Sequence, residues 1–207
     1  IVPSSRKTPV GPEYYWNLMK KLLHPRDEIV LLEPLSEPLL ALRESESEEP
    51  LYQAPLQPSV EPILCEKIME TSLDDSNLVG NIYFTNYYSW QGQVRDHYFF
   101  GLIPEYFKGV GKSGELICLD CSVTHLREAM PFDRIAVTMA LKELRKRSAV
   151  FYFEYFRIEP DDTRTKLAFG EHDAAWVLRD DLSNPALSPF PEKVRDAFFK
   201  AIAKYSN

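Results

Sequence analysis

One long aromatic segment followed by four strand-like runs limits what this chain can fold into. Residues 82–100 contain no proline and predict a helix, although Gly92 lowers the helix propensity of the segment. The runs that follow have apolar patterns typical of strands and span residues 116–126, 134–144, 149–158 and 166–178. Because no helix separates these strands, we predict an α+β arrangement of one helix on one antiparallel sheet, rather than a doubly wound parallel sheet.

Shorter patterns complete the predicted domain on both sides of this core. Residues 63–69 predict a first strand, and the polar residues 74–80 predict a turn before the helix. Residues 191–205 predict an amphipathic helix, because their apolar side chains recur at every fourth position after a proline at the first turn. We therefore assign residues 63–207 to a single domain.

The first 62 residues differ in composition from the rest of the chain. Prolines recur throughout them, and residues 43–49 form a polar, mostly acidic run, a composition that resists continuous helix or sheet. Within them, residues 14–23 have helical apolar spacing and residues 28–32 are consistent with a short strand. We predict a proline-rich N-terminal linker or extension and, because the chain opens at Ile1 rather than Met, a domain cut from a longer protein.

Charge and hydropathy argue against several classes of function. A formal net charge of −7 disfavours nucleic-acid binding, which depends on basic surfaces. No apolar run approaches the roughly 20 residues that a membrane helix needs. No secretory signal opens the sequence, so we expect no membrane contact and a cytoplasmic location.

The chain has three cysteines, an odd number that argues against a disulfide scaffold. Cys118 and Cys121 form a C-x-x-C, but no second ligand pair follows, so we expect no metal site. Because both lie in a strand-like run of alternating apolar residues, we predict buried strand cysteines in preference to a redox pair.

The most informative motif lies at the start of the predicted helix, where residues 76–95 read SNLVGNIYFTNYYSWQGQVR. This segment resembles the pattern N-x-x-G-N-x-Y-x-x-N-Y-x-x-W-Q-G-x-x-R of enediyne-polyketide thioesterases, within the hot-dog thioesterases of the 4-hydroxybenzoyl-CoA class. The agreement comprises Asn77, Gly80, Asn81, Tyr83, Asn86, Tyr87, Trp90, Gln91, Gly92 and Arg95. A looser resemblance extends over residues 63–178.

The resemblance implies a hot-dog domain, in which an antiparallel sheet wraps around a long helix, and the hydrolysis of an acyl thioester. Most members of the broader class have a catalytic Asp where this chain has Asn77, and many have a helix Glu where it has Gly92. In the enediyne group the matching Asn, Tyr and Arg are implicated instead. The resemblance therefore implies catalytic roles for Asn77, Tyr87 and Arg95.

These three side chains suit thioester hydrolysis without a catalytic carboxylate. Because the thiolate is a good leaving group, stabilisation of the tetrahedral oxyanion matters most, and the loss of one oxyanion donor costs roughly 2.7–4 kcal/mol. Asn77 has an amide donor, and Arg95 is a permanent cation with several N–H groups. We expect Tyr87 to orient one of them or the substrate carbonyl, and water or hydroxide to attack without a covalent acyl-enzyme.

Further residues are predicted to contact the substrate, two on the helix and two near the end of a strand. They are Tyr83, Trp90, Thr124 and His125. Tyr83 and Trp90 would line an acyl tunnel together with Tyr87, although a place in the hydrophobic core is the simpler interpretation for most of the helix aromatics. His172 stays a second histidine candidate, because sequence spacing does not restrict a Ser-His-Asp or Cys-His arrangement.

The resemblance also implies partners. The acyl chain would arrive on the phosphopantetheine arm of an acyl carrier protein, so no cofactor of the protein's own is expected, and the N-terminal extension suggests fusion to a polyketide synthase. Hot-dog domains pair through their sheets, which implies a homodimer or tetramer with active sites at the subunit boundary. The basic residues among 142–147 suit the acidic surface of a carrier protein, although a solvated charged hairpin is the preferred interpretation.

Two other functions stay open at this point. A hot-dog dehydratase uses a His with an Asp or Glu, and the predicted helix shows no such motif. A hot-dog domain that binds or shapes a carrier-tethered chain without hydrolysing it is the other alternative, because the helix motif lacks a catalytic carboxylate. The favoured prediction is a thioesterase that acts on a polyketide or fatty acyl chain.

Overall fold

The described part of this computed structural model comprises residues 49–55, 62–107, 114–178 and 186–205. The helix and strand predicted for residues 14–23 and 28–32 lie outside these ranges. The elements follow in the order β1 (Tyr52–Gln53), β2 (Ile63–Glu70), a 3-10 turn (Leu73–Asp75), α1 (Thr85–Leu102), α2 (Pro104–Phe107), β3 (Gly114–His125), β4 (Arg134–Leu144), β5 (Ser148–Ile158), β6 (Arg164–Leu178), β7 (Ala186–Leu187) and α3 (Glu192–Tyr205).

The strands of the described residues form one antiparallel sheet in which β4, β5, β6 and β3 lie side by side. Strands β1 and β2 both pair with β4, and β7 pairs with the end of β6. Strand β3 therefore forms one edge of the sheet and leaves twelve residues without a neighbouring strand on their outer side, among the residues described.

The core lies between α1 and the sheet. Along β5, Phe151, Phe153 and Tyr155 are fully buried at alternate positions, as expected for a strand with one face on a helix. Val94 and Phe99 of α1 are buried in the same cluster. The Tyr155 hydroxyl donates a hydrogen bond of 3.0 Å to the backbone oxygen of Tyr87 and ties the sheet to the start of the helix.

This arrangement confirms the predicted α+β class and the hot-dog domain. Each strand predicted within the described residues is present, with ends that differ by at most two residues. The helix begins at Thr85 rather than at residue 82, because Ile82 pairs with Ser76 in an isolated bridge and donates its N–H to the oxygen of Ala129. These bonds hold the backbone extended where the aromatic pattern had predicted helix.

The prediction of buried cysteines in β3 is wrong, since Cys118 and Cys121 are both exposed. A register shift between Cys118 and Asp120 places both cysteines opposite residues of β6 that face the helix, namely Ala174 and His172. Because β3 is an edge strand, side chains on its helix-facing side are covered less than those of central strands. The alternation of apolar residues predicts the strand but not its place in the sheet.

Candidate active site

The loop that precedes α1 is built around the side chain of Asn77. Its Oδ1 accepts hydrogen bonds from the backbone N–H groups of Val79, at 2.8 Å, and Gly80, at 3.1 Å. Gly80 has φ +100°, a conformation that other residues rarely adopt, so the sharp reversal of the loop depends on glycine at this position. The Asn77 N–H donates to the oxygen of Asn81 at 2.9 Å and closes the loop.

Asn77 is also joined to the segment that follows β3. Its Nδ2 donates to Oδ1 of Asn81, and Nδ2 of Asn81 donates to Oε1 of Glu128 at 3.0 Å. Asn81 and Glu128 are 47 positions apart in sequence, so this contact exists only in the folded chain. Asn77 is thus held on both sides, by backbone N–H groups and by a second asparagine.

A cleft of about 330 Å³ lies where this loop, the start of α1 and the segment after β3 meet. Its lining combines apolar side chains with several polar groups. The lining residues are Asn77, Asn81, Ile82, Phe84, Tyr87, His125, Leu126, Arg127, Glu128 and Ala129. The structure therefore brings together Asn77, Tyr87 and His125, which the sequence analysis had singled out.

Tyr87 is almost completely buried beside this cleft. Its ring centroid lies 5.0 Å from those of Trp90 and Tyr155 and 4.6 Å from that of His125, which it meets edge to face. Burial, with a smaller contribution from the negative charge of Asp133, raises the pKa of Tyr87 to about 12. The phenol therefore keeps its proton at neutral pH and remains a hydrogen-bond donor.

His125 is the last residue of β3 and lies at the rim of the cleft. Partial loss of hydration lowers its pKa below the ordinary value of 6.5. The neutral imidazole is therefore the dominant form at neutral pH. In this form one ring nitrogen is a donor and the other is an acceptor.

Arg95 lies farther along α1 and is not among the residues that line the cleft. It follows Tyr87 by eight helical residues, a rise of about 12 Å along the helix axis. Its Nε and Nη2 donate to Oδ1 of Asp96 at 2.9 and 2.7 Å, and its Nη1 lies 2.9 Å from Nε2 of His172. Within one chain, the expected meeting of Tyr87 and Arg95 at a single cleft is therefore not seen.

His172 is buried beneath the Arg95 guanidinium, with 5% of its surface exposed. Burial, followed by the charge of Arg95, lowers the pKa of His172 to about 4. Since arginine only donates, Nε2 of the imidazole accepts this hydrogen bond and the proton of the neutral ring resides on Nδ1. The Nδ1 atom is buried and has no hydrogen-bond partner among the described residues.

Tyr87, Gln91 and Arg95 follow one another at intervals of four and lie on one face of α1. Tyr87 meets His125 at the end of β3, and Nε2 of Gln91 donates to the backbone oxygen of Ser122 at 3.1 Å. The three side chains thus follow β3 from the cleft toward the middle of the edge strand. Gln91 belongs to the motif, and its helix spacing from Tyr87 and Arg95 is the sequence signal for its position.

Three of the predicted substrate contacts do not line the cleft. Trp90 is buried in the core, with its ring centroid 6.4 Å from that of Tyr155. For Trp90, a place in the hydrophobic core is therefore the correct interpretation. Tyr83 is exposed and packs on Phe84 at a centroid distance of 4.7 Å. Thr124 precedes His125 in an extended strand, so the two side chains point to opposite faces of the sheet.

The basic hairpin forms ion pairs with acidic neighbours on the sheet. Lys142 pairs with Glu171 at 2.6 Å, and Arg145 pairs with Glu143 at 2.6 Å and with Asp173 at 3.1 Å. These contacts favour the solvated, charged hairpin over a docking site for an acidic carrier. A small pocket beside the pairs has a predominantly acidic lining, which disfavours phosphate.

Two charged residues of the cleft were not singled out by the sequence analysis. Arg127 and Glu128 follow β3 and lie near Asn77 only after folding. Nη1 of Arg127 donates to the backbone oxygen of Lys166 at 2.9 Å. Glu128 adds a carboxylate to the lining of the cleft from outside the helix motif. Over the part of the chain that the structure describes, no group of three or more His, Cys, Asp and Glu residues is arranged to hold a metal ion.

Comparisons with known proteins agree with the described fold. The family model of the thioesterase-like superfamily matches residues 71–198. The structure is similar to that of the dynemicin thioesterase, at 27% sequence identity and a TM-score of 0.61, over 68% of this chain and 97% of that chain. No curated protein sequence matches this chain. No helix in the described ranges is long and apolar enough to cross a membrane.

Two more distant structures share the fold. The 4-hydroxybenzoyl-CoA thioesterase from Pseudomonas sp. strain CBS-3 is 14% identical, with a TM-score of 0.55 over 64% of this chain and 97% of that chain. A 1,4-dihydroxy-2-naphthoyl-CoA thioesterase from Synechocystis is 13% identical, with a TM-score of 0.55 over 65% of this chain and 94% of that chain. At such low identity, these likenesses concern the architecture alone.

Proposed function

The chain belongs to the thioesterase-like superfamily, and we propose on that basis that it hydrolyses an acyl thioester whose acyl group is a polyketide or fatty chain. One observation carries the proposal: the Asn77 amide and the protonated Tyr87 phenol line the same partly apolar cleft. Such neutral donors stabilise the oxyanion of a tetrahedral intermediate. The similarity to the dynemicin thioesterase, whose structures concern polyene binding, supports a polyketide chain.

We assign the step that each group performs from the hydrogen bonds of the cleft. One N–H of the Asn77 side chain is engaged by Asn81, and the other remains to meet the carbonyl oxygen of the thioester. Hydroxide, or water that loses its proton to solvent, adds to the carbonyl carbon, and the carbonyl oxygen takes up the negative charge. Collapse of the adduct breaks the C–S bond, expels the thiolate and leaves the free acid. The Tyr87 phenol orients the carbonyl, and His125 contacts the acyl group at the rim of the cleft.

Arg95 enters this site through a second copy of the chain. The outer side of β3 has no neighbour among the described strands, and a long unpaired edge is a ready surface for antiparallel pairing. The Arg95 guanidinium contacts His172, whose partner across the β3–β6 ladder is Cys121, so Arg95 lies near the middle of β3. The Asn77 cleft lies at the end of that strand.

Antiparallel pairing of two β3 strands about a two-fold axis reverses one strand relative to the other. With the two-fold axis between residues 121 and 125, the middle of β3 in one subunit lies beside the last residues of β3 in its partner. Arg95 of each subunit is thereby carried toward the cleft that holds Asn77 of the other subunit. The two catalytic groups that are separated within one chain would form a composite site in the homodimer.

The acyl chain would be presented on the phosphopantetheine arm of an acyl carrier protein, with an acyl-CoA as the alternative donor. The two donors are distinguished by the rates at which the protein releases the acyl group from the acyl carrier protein and from the acyl-CoA at equal concentration. Fusion to a polyketide synthase would supply the carrier in the same polypeptide. No cofactor of the protein's own takes part in the proposed step.

A hot-dog dehydratase is the second candidate, because His125 and the carboxylate of Glu128 line the same cleft. Intact-mass analysis of a loaded carrier protein separates the possibilities in one measurement. Hydrolysis returns the carrier with its free thiol, dehydration of a β-hydroxyacyl carrier removes one water, and binding alone leaves the mass unchanged. We expect the wild type to return the carrier with its free thiol and Asn77→Ala to leave the carrier acylated. A wild type that leaves every acyl carrier intact refutes the proposal.

A further inference from the structure

Three polar side chains form a continuous hydrogen-bonded chain from the segment after β3 to the loop before α1. Oε1 of Glu128 accepts from Nδ2 of Asn81 at 3.0 Å, and Oδ1 of Asn81 accepts from Nδ2 of Asn77. Oδ1 of Asn77 then accepts from the backbone N–H groups of Val79 and Gly80. All three side chains line the proposed active-site cleft.

The carboxylate at one end of this chain determines the direction of every bond in it. An ionised carboxylate accepts hydrogen bonds and donates none, so the nitrogen of the Asn81 amide must face Glu128 and its oxygen must face Asn77. Asn77 must then turn its nitrogen toward Asn81. The two backbone N–H groups impose the same orientation from the other side, because they require an oxygen.

The orientation of the Asn77 amide matters because its two ends have opposite effects on an oxyanion. The nitrogen donates to negative charge, whereas the oxygen repels it, and the two ends are nearly equal in shape. A half-turn of the amide would therefore replace a stabilising group by a repulsive one without any steric cost. Glu128 itself is exposed, so water screens its charge while the direction of the hydrogen bonds persists.

We infer that Glu128, acting through Asn81, is a positioning residue that aims the free N–H of Asn77 at the carbonyl oxygen of the thioester. This inference rests on the proposed function. It assigns a carboxylate to the cleft that neither attacks the substrate nor takes a proton from water. The role explains why a loop asparagine that already satisfies two backbone N–H groups is also bonded to a distant part of the chain.

The test compares steady-state thioester hydrolysis by Glu128→Gln, Glu128→Ala, Asn81→Ala and Asn77→Ala. Gln keeps an acceptor oxygen at position 128, so Glu128→Gln should retain kcat within a few-fold of the wild type and the same pH profile. Glu128→Ala and Asn81→Ala should lower kcat by about 10- to 100-fold with little change in KM, less than the roughly 10²–10³-fold loss of a whole oxyanion donor. The double variant should be no worse than either single one, because both break the same chain.

Glu70→Ala is the matched control, since Glu70 is an exposed glutamate at the end of β2 that does not line the cleft. A second readout does not depend on catalysis: the side-chain amide ¹⁵N and ¹H resonances of Asn77 should shift in Glu128→Ala and stay in place in Glu70→Ala. Thermal unfolding of each variant shows whether the variant is still folded, and so distinguishes a reoriented Asn77 amide from a loss of the fold.

Two results overturn the inference while the proposed function stands. In the first, Glu128→Ala hydrolyses the thioester like the wild type although Asn77→Ala does not. In the second, Glu128→Gln is as slow as Glu128→Ala and loses the acidic limb of its pH profile, as a general base would require. An inactive wild type refutes the proposed function itself, and unshifted Asn77 amide resonances in Glu128→Ala then refute the positioning role separately.

Discussion

Replacement of His172 by glutamine should make the protein markedly less sensitive to acid. In the wild type the imidazole is 5% exposed and accepts a hydrogen bond from Arg95, and its pKa is lowered from 6.5 to about 4 by burial and by that charge. Glutamine has an oxygen that accepts the same hydrogen bond but does not titrate. The substitution therefore removes the protonation while it preserves the contact.

The sign and size of the effect follow from the two pKa values of His172. Because the folded-state pKa lies below the ordinary value, the unfolded chain binds the proton more tightly than the folded chain does. The contribution to stability is complete above pH 6.5 and is lost as the pH falls toward 4. At 1.36 kcal/mol per pKa unit, the loss is about 2 kcal/mol at pH 5 and about 3 kcal/mol at pH 4.

Urea denaturation followed by tryptophan fluorescence at pH 7, 5 and 4 measures this loss. The carboxylates titrate equally in both proteins, so the difference between wild type and His172→Gln isolates the histidine. His97→Gln, at an exposed position of α1, is the control and should follow the wild-type curve. If the wild-type and His172→Gln free energies of unfolding fall in parallel from pH 7 to pH 4, the assigned neutral, buried imidazole is incorrect.

Three further substitutions test the packing and the cleft. Gly170→Ala should destabilise the protein by about 1–3 kcal/mol in urea, because a Cβ there would lie 2.0 Å from the backbone oxygen of Ser122, and a variant of unchanged stability would contradict this contact. Tyr155→Phe should cost about 1 kcal/mol, since the hydrogen bond from the buried phenol to the backbone oxygen of Tyr87 is lost, and an equally stable variant would show that this hydrogen bond contributes nothing to stability. Tyr87→Phe should lower kcat for thioester hydrolysis by about tenfold or more, and an unchanged kcat would remove the phenol from the mechanism.

The fold was predictable from the sequence because its strands have apolar patterns typical of strands and its central helix is a long aromatic segment without proline. Strand β4 has the predicted bounds, Arg134–Leu144, and the antiparallel order follows from the absence of helices between the later strands. The start of α1 was not predictable, because Ile82 is held extended by a bond to Ala129 far along the chain. The exposure of Cys118 was missed for a similar reason, since alternation does not reveal which strand becomes an edge.

The candidate site was only partly predictable, and the motif at the start of α1 accounts for the part that was. It singled out Asn77 and Tyr87, which share a cleft, and Arg95, which the structure places beside His172 instead. Glu128 lies outside the motif, and its contact with the loop spans 47 positions, so no local pattern marks it. Contacts that tertiary structure alone creates leave no periodic signal in one sequence.

The homodimeric composite site is the central claim, and mixed subunits test it most directly. Asn77→Ala and Arg95→Ala homodimers should each be nearly inactive, because each lacks one catalytic group in both sites. After subunit exchange, a heterodimer of the two variants has one site with Asn77 from one subunit and Arg95 from the other, both intact. Random exchange should therefore restore about one quarter of the wild-type specific activity. Mass spectrometry of differently tagged subunits shows whether exchange has taken place. If the subunits have exchanged and activity does not recover, the composite site is contradicted.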